Sequence, residues 1–155
     1  MSDAAQLSRW PSARLDEVAR LRAIAAARPH LAYCERTIEA PFELVWSIFG
    51  DLECGVPARS IRITDRDGER LKFEYNSPIL GGALRFDAIY RPGWCVMRSW
   101  AAEVGLAATP VAASRTRVAH FEGWPLLGSF SRWWFSRTIE AELDALARKC
   151  QAGAS

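Results

Sequence analysis

Lysine, histidine and paired cysteine are what this sequence has least of. Lys72 and Lys149 are its lysines, and arginine carries the rest of the positive charge. The two histidines, His30 and His120, stand far apart, and Cys34, Cys54, Cys95 and Cys150 show no CxxC spacing. A structural zinc site is read from clustered ligands at short spacing, so no metal and no redox cofactor is implied. Scattered cysteines read as reduced, small apolar residues of a cytoplasmic protein. There is no run of 18 apolar residues, so no membrane-spanning helix is expected, and a membrane contact would be transient. The opening MSDAAQLSRW lacks the apolar stretch of a secretory signal. Charge is nearly balanced, 20 basic against 18 acidic residues, which gives no electrostatic case for nucleic acid. Repeats and low-complexity tracts are missing, and Gly81-Gly82 has no phosphate-loop context.

What remains is a chain of 155 residues, the size of one domain, with 50% apolar and 25% charged residues. Its unusual feature is seven tryptophans: Trp10, Trp46, Trp94, Trp100, Trp124, Trp133 and Trp134. That exceeds what filling a core of this size requires and points to a bulky core or an aromatic-lined cavity.

The pattern alternates between two periods. After a loose tail, Leu15, Val18, Leu21 and Ile24 recur at helical spacing. They predict a helix over Ala13–Arg28, capped by Ser12, supported by an Asp16–Arg20 pair and ended by Pro29. Leu31–Ala40 reads as a strand. Pro41 opens a short helix with Phe42, Val45, Trp46 and Phe49 on one side, closed by Gly50. From Ser60 the rhythm has period two. Ser60–Thr64 turns at Asp65–Gly68 into ERLKFEY, which places Leu71, Phe73 and Tyr75 on one face. ALRFDAIY places Leu84, Phe86, Ala88 and Tyr90 together. Trp94–Trp100 and Ser114–Glu122 are further strands, while the Gly- and Pro-interrupted AAEVGLAATPVAA between them resists assignment. Leu127–Gln151 is one long helix with the stripe Phe135, Ile139, Leu143, Leu146, Cys150 and a neighbouring stripe Phe130, Trp134, Thr138, Ala141, Ala145. Two stripes predict packing across an entire sheet.

The phrase ERTIEAPFELVWSIFGDLE, and within it Ala40-Pro41-Phe42-Glu43-Leu44-Val45-Trp46, resembles the start of the START-like superfamily. That superfamily includes Bet v 1-like proteins, polyketide cyclases/aromatases and lipid-transfer domains. The resemblance covers about residues 32–151, leaving 1–30 as an N-terminal tail and helical extension to a domain over 31–152. It implies an α+β helix-grip fold: a curved antiparallel β-sheet wrapped around a long C-terminal α-helix, with an extra N-terminal helix and a cavity for a small hydrophobic molecule. The ligand would be a lipid, sterol, polyketide or aromatic metabolite, and the protein a monomer or homodimer. One alternative is a cyclase/aromatase-like enzyme closing aldol rings in the same cavity. Another is a non-catalytic interaction domain docking through the first helix or an exposed tryptophan. NTF2-like folds also curve a sheet around a cavity, but they place their long helices first.

No catalytic motif transfers with the resemblance, so candidates come from residue chemistry. His120 shares a strand face with Thr116, Val118 and Glu122 and could act as a general acid or base. Arg98 stands between large residues and could stack on indoles or hold a carboxylate or enolate. The opposite parity, with Cys95, Met97 and Ser99 inward, leaves Arg98 in solvent. Tyr75 and Tyr90 offer phenols on apolar faces. The expected ligand-binding surface is Phe73, Phe86, Trp94, Trp100, Val118, Phe130, Trp134 and Thr138. At least two indoles among Trp94, Trp100, Trp124, Trp133 and Trp134 are expected to line one pocket, with one of Trp133 and Trp134 turned into it.

Overall fold

The computed structural model describes residues 14–52, 61–77 and 81–153. Alternating side chains and tight turns build the sheet. Its strands are β1 (Ala32–Ile38), β2 (Ile61–Asp67), β3 (Arg70–Ser77), β4 (Gly82–Arg91), β5 (Trp94–Arg98), β6 (Glu103–Ala112) and β7 (Arg115–Gly123). Among the described residues three helices accompany them: α1 (Glu17–Ala26), α2 (Phe42–Phe49) and α3 (Ser129–Gly153), the last preceded by a 3₁₀ turn at Pro125–Leu127. The strands form a single curved antiparallel sheet in the order β1-β7-β6-β5-β4-β3-β2. Thus β2 to β7 meander, and β1 pairs back onto β7. This is the α+β helix-grip architecture with an added N-terminal helix.

The local chemistry explains most boundaries. Gly68 has φ +57° and turns β2 into β3; Gly93, at φ +78°, turns β4 into β5. β2 runs past the expected Thr64 to Asp67, with a register shift between Ile63 and Asp65, so only the end of the Asp65–Gly68 segment turns. The unassigned glycine- and proline-rich stretch is the full strand β6. Its register with β7 slips only between Pro110 and Ala112. Gly105 fits there for lack of a side chain: a Cβ would lie 2.5 Å from the Phe121 ring and 2.8 Å from Leu21. Pro41 precedes α2 as its N-cap residue, and Gly50 ends that helix beneath the Trp46 ring.

Helices lie on both faces of the sheet, but on the outer face α1 covers only β1, β6, β7 and the start of β5. On the outer face α1 presses Val18, Leu21 and Ala25 onto Leu31, Trp94, Ala107, Ala119 and Phe121. Asp16 caps α1, accepting from the Ala19 amide at 2.8 Å, and it also pairs with Arg117. The proposed cap Ser12 lies outside the described residues. Arg20 pairs with Glu17 at 3.5 Å rather than with Asp16. On the inner face α2 and α3 enclose Ile38, Val45, Trp46, Cys95, Val118, Leu143, Leu146 and Cys150.

The long helix does not cross the whole sheet, as its two stripes suggested. It packs chiefly on β1 and β7. Only the Phe135, Ile139, Leu143, Leu146, Cys150 stripe is buried, while Phe130, Trp134, Thr138 and Ala141 are exposed. The inner face of β3 and β4 is therefore left to smaller covers, among them Leu52, Ala101, Ala102 and Trp124. No described helix is long and apolar enough to cross a membrane.

Candidate functional site: an internal cavity with one polar corner

Between the inner sheet face, the end of α2 and α3 lies a cavity of about 500 Å³. Strand parity builds its walls. Phe73 and Phe86 are register partners across β3 and β4, and their rings stack at 5.1 Å with planes 7° apart. Leu84, Met97, Val104 and Leu106 continue the apolar wall. Trp124 and Phe135, 5.8 Å apart, line the part where the sheet leads into α3.

One corner is polar. His120 and Glu122 stand two residues apart on β7, hence on the same face, and Glu142 meets them from α3. His120 Nδ1 lies 3.1 Å from a Glu142 carboxylate oxygen, outside hydrogen-bond geometry, and neither ring nitrogen has a hydrogen-bond partner. The Phe49 ring meets the imidazole edge-on at 6.2 Å. Burial pushes the Glu122 carboxyl up to about 7; the nearby His120 opposes this rise and the Glu142 charge adds to it.

Of the four candidates for chemistry, His120 and Tyr75 reach the cavity wall. Tyr90 faces inward but packs on Trp46, at 6.0 Å between rings, and burial raises its phenol. Arg98 follows the solvated parity. It is 62% exposed and donates through Nε to Glu103 at 2.6 Å on the outer face.

Of the ligand-binding candidates, Phe73 and Phe86 line the cavity. Val118 is fully buried in the core beneath α2 and α3. Trp94 points to the opposite face, under α1, with the Arg91 guanidinium 5.6 Å from its ring centre. Trp100, Phe130, Trp134 and Thr138 are exposed. The expectation of two indoles on one pocket is therefore corrected. Among the five, Trp124 alone lines the cavity. Trp133 and Trp134 are 70% and 60% exposed because Phe135 takes the inward position of the helix. With Phe130, Leu126 and Leu127 they form an exposed apolar strip.

Two functional neighbours escaped sequence reasoning as site residues. Glu122 was visible only through its parity with His120. Glu142 carried no signal, since it flanks the buried stripe at Leu143 and the angular setting of α3 against β7 is a tertiary fact.

No protein-family model matches the sequence, and no curated protein matches it either. Solved structures do. The chain is similar to a START superfamily protein from Mycobacterium smegmatis, at 18% identity, over 79% of this chain and 98% of that one, with a TM-score of 0.53. It is similar to the Zhui aromatase/cyclase from Streptomyces sp. R1128, at 14% identity over 81% and 97%, with a TM-score of 0.56. It is also similar to the protein XoxI from Bacillus cereus, at 11% identity over 81% and 99%, with a TM-score of 0.57. At such identities the likeness is one of fold, and fold does not carry function with it. The chain has the START-like fold, a helix-grip sheet closed against its own C-terminal helix.

Proposed function

We propose that the protein binds a small hydrophobic molecule in the cavity between sheet and α3. The observation that carries this reading is the cavity itself. Its volume of about 500 Å³ falls within the roughly 300–1,000 Å³ range of small-molecule sites. Its walls are mostly apolar and aromatic, with His120, Glu122 and Glu142 gathered in one corner and Asp51, Tyr75, Ser77 and Lys149 elsewhere on the lining. Such a surface favours a flat, largely apolar ligand that carries oxygen groups, as a polyketide or other aromatic metabolite does, over a uniformly aliphatic chain. An aromatase/cyclase shares this fold, so the fold can house a site of this kind.

Native mass spectrometry of the full chain purified from its own host tests the reading directly. A co-purifying molecule of a few hundred daltons is expected. Ala102, on the cavity wall, supplies the control: Ala102→Trp fills the space, and the molecule should be lost while the fold persists by circular dichroism. Retention of the same molecule by the filled variant, or no uptake of any hydrophobic probe by the wild type, would overturn the proposal.

An enzymatic reading of the cyclase/aromatase kind draws on one specific observation, the presence of both Tyr75 and His120 on this wall. Arg98 and Tyr90 lie off it, so binding is the better supported of the two. Conversion of a poly-β-ketone by the wild type, lost in His120→Asn, would reverse that order.

A further inference from the structure

The polar corner of the cavity holds more than an acid and a base. One ligand atom each from His120, Glu122 and Glu142 lies within 4.8 Å of the other two. His120 is 3% exposed, and both of its ring nitrogens are buried without a hydrogen-bond partner. A buried imidazole normally satisfies at least one of them. Glu142 approaches from the half-exposed flank of α3. Two carboxylates and a buried imidazole, whose Nδ1 stands 3.1 Å from Glu142 without hydrogen-bond geometry, thus converge on one spot against an apolar wall. Lys149 also lines the cavity, but it stands two helical turns beyond Glu142, about 10 Å further along α3.

We infer that His120, Glu122 and Glu142 form a binding site for a divalent first-row metal cation, with zinc(II) as the reference ion. One imidazole nitrogen and two carboxylate oxygens make a donor set of intermediate hardness. It suits zinc, iron(II) or manganese(II), and it lacks the thiolates that select copper(I). Calcium asks for about six to eight oxygens, more than this corner offers. Metal–ligand bonds of about 2.0–2.2 Å place ligand atoms roughly 3–4 Å apart. The cluster therefore needs to tighten by about 1 Å, which the half-exposed Glu142 side chain can supply by a change of rotamer. Three protein ligands leave at least one position open. That position faces the cavity, where an oxygen of a bound molecule would complete the shell. No short-spacing motif announces such a site, because its ligands come from a strand and a helix joined by a turn.

The test uses the full chain, stripped with chelator and titrated with zinc chloride in the absence of any organic molecule. Calorimetry should show one saturable site, and zinc should raise the unfolding temperature. Glu122→Gln and Glu142→Gln should each weaken uptake at least about a hundredfold, and His120→Asn should abolish it. Cys34, opposite His120 in the β1–β7 register, is the natural competitor. Cys34→Ser should bind as the wild type does, and cobalt(II) should show d–d bands without thiolate charge transfer. Glu142 is half exposed, so its variant should keep the fold even where a β7 variant does not. Absence of saturable uptake, or uptake unchanged in Glu142→Gln, would overturn the inference. Neither result bears on ligand binding, because the titration contains no organic ligand.

Discussion

Glu103 is the sharpest place to test how the N-terminal helix is held. It is 2% exposed on the outer face, yet it is a carboxylate. It accepts from Arg28 Nη1 at 2.6 Å and Arg98 Nε at 2.6 Å, and it lies 3.0 Å from His30 Nε2. Arg28 and His30 follow α1, Arg98 ends β5, and Glu103 begins β6. The carboxylate therefore ties the helix to the sheet. Glu103→Gln keeps the shape and removes the charge. Hydrogen bonds to charged groups are worth about 1.5–3 kcal/mol and neutral ones about 0.5–1.5, so each strong contact loses about 1 kcal/mol. The contact to Arg98, which is 62% exposed, is discounted for solvent screening. A loss of about 1–2 kcal/mol is expected at neutral pH. Burial alone would raise the Glu103 carboxyl, but the Arg28 and His30 hydrogen bonds and the Arg28 and Arg98 charges outweigh it, so its pKa is lowered from the ordinary 4.5. A depressed carboxylate stabilises the fold above its unfolded pKa, and that contribution is lost as pH falls through the folded value. Urea unfolding of wild type and Glu103→Gln should therefore differ by that amount at pH 7 and by less at pH 3. A difference under about 0.5 kcal/mol at pH 7, or one larger at pH 3 than at pH 7, would refute the reasoning.

Two further outcomes follow from the packing. Gly105→Ala drives a Cβ into Phe121 and Leu21, and should cost about 1–3 kcal/mol by overpacking, read as a lower urea midpoint at unchanged slope. Trp134→Ser, at a 60% exposed position, should change stability by no more than about 0.5 kcal/mol and leave cavity binding intact in a probe titration.

How far the sequence could be read depended on whether one or both faces of an element were buried. Strands β3 and β4 carry charge on one face, so their inner residues Phe73, Leu84 and Phe86 were legible from alternation alone. The Ala40–Trp46 phrase and the stripe from Phe135 to Cys150 were legible for the same reason. Strands β5 and β7 were not, because α1 buries their outer face as well. Trp94 and Cys95 are both buried, as are His120 and Phe121, and no period-two pattern can say which of each pair looks into the cavity. β6 was obscured differently. Its glycine is a poor strand former by propensity, and it sits in the strand because Phe121 and Leu21 need the room. The tryptophan excess likewise signalled large apolar surfaces, but the described indoles divide among the core at Trp46, the outer-face core at Trp94, the cavity at Trp124 and exposed positions at Trp100, Trp133 and Trp134.

The position of the cavity follows from the narrowness of the α3 stripe. A helix that buried both of its predicted stripes would have lain over the middle of the sheet and filled it. Here only one stripe is apolar enough and inward, and it seats α3 over β1 and β7. The aromatic inner face of β3 and β4 then has no described helix packed on it, and among the described residues the gap is closed at its margins by Leu52, Ala101, Ala102 and Trp124. Seating α3 this way also brings the flank of its stripe against β7. Glu142, one residue before the buried Leu143, is thereby carried to His120 and Glu122. The same packing choice that opens an apolar space for a ligand thus sets a cluster of donors on its wall, and an isolated polar cluster of this kind is where a ligand oxygen or a cation gains most, because little water competes for it. If α3 were reseated by a shift in its stripe, for instance by Leu143→Ala at a loss of about 2–5 kcal/mol, cavity and corner should fail together rather than separately. Hydrophobic-probe binding and zinc uptake, measured on that one variant, should fall in parallel; loss of one with full retention of the other would show that the two features do not share this cause.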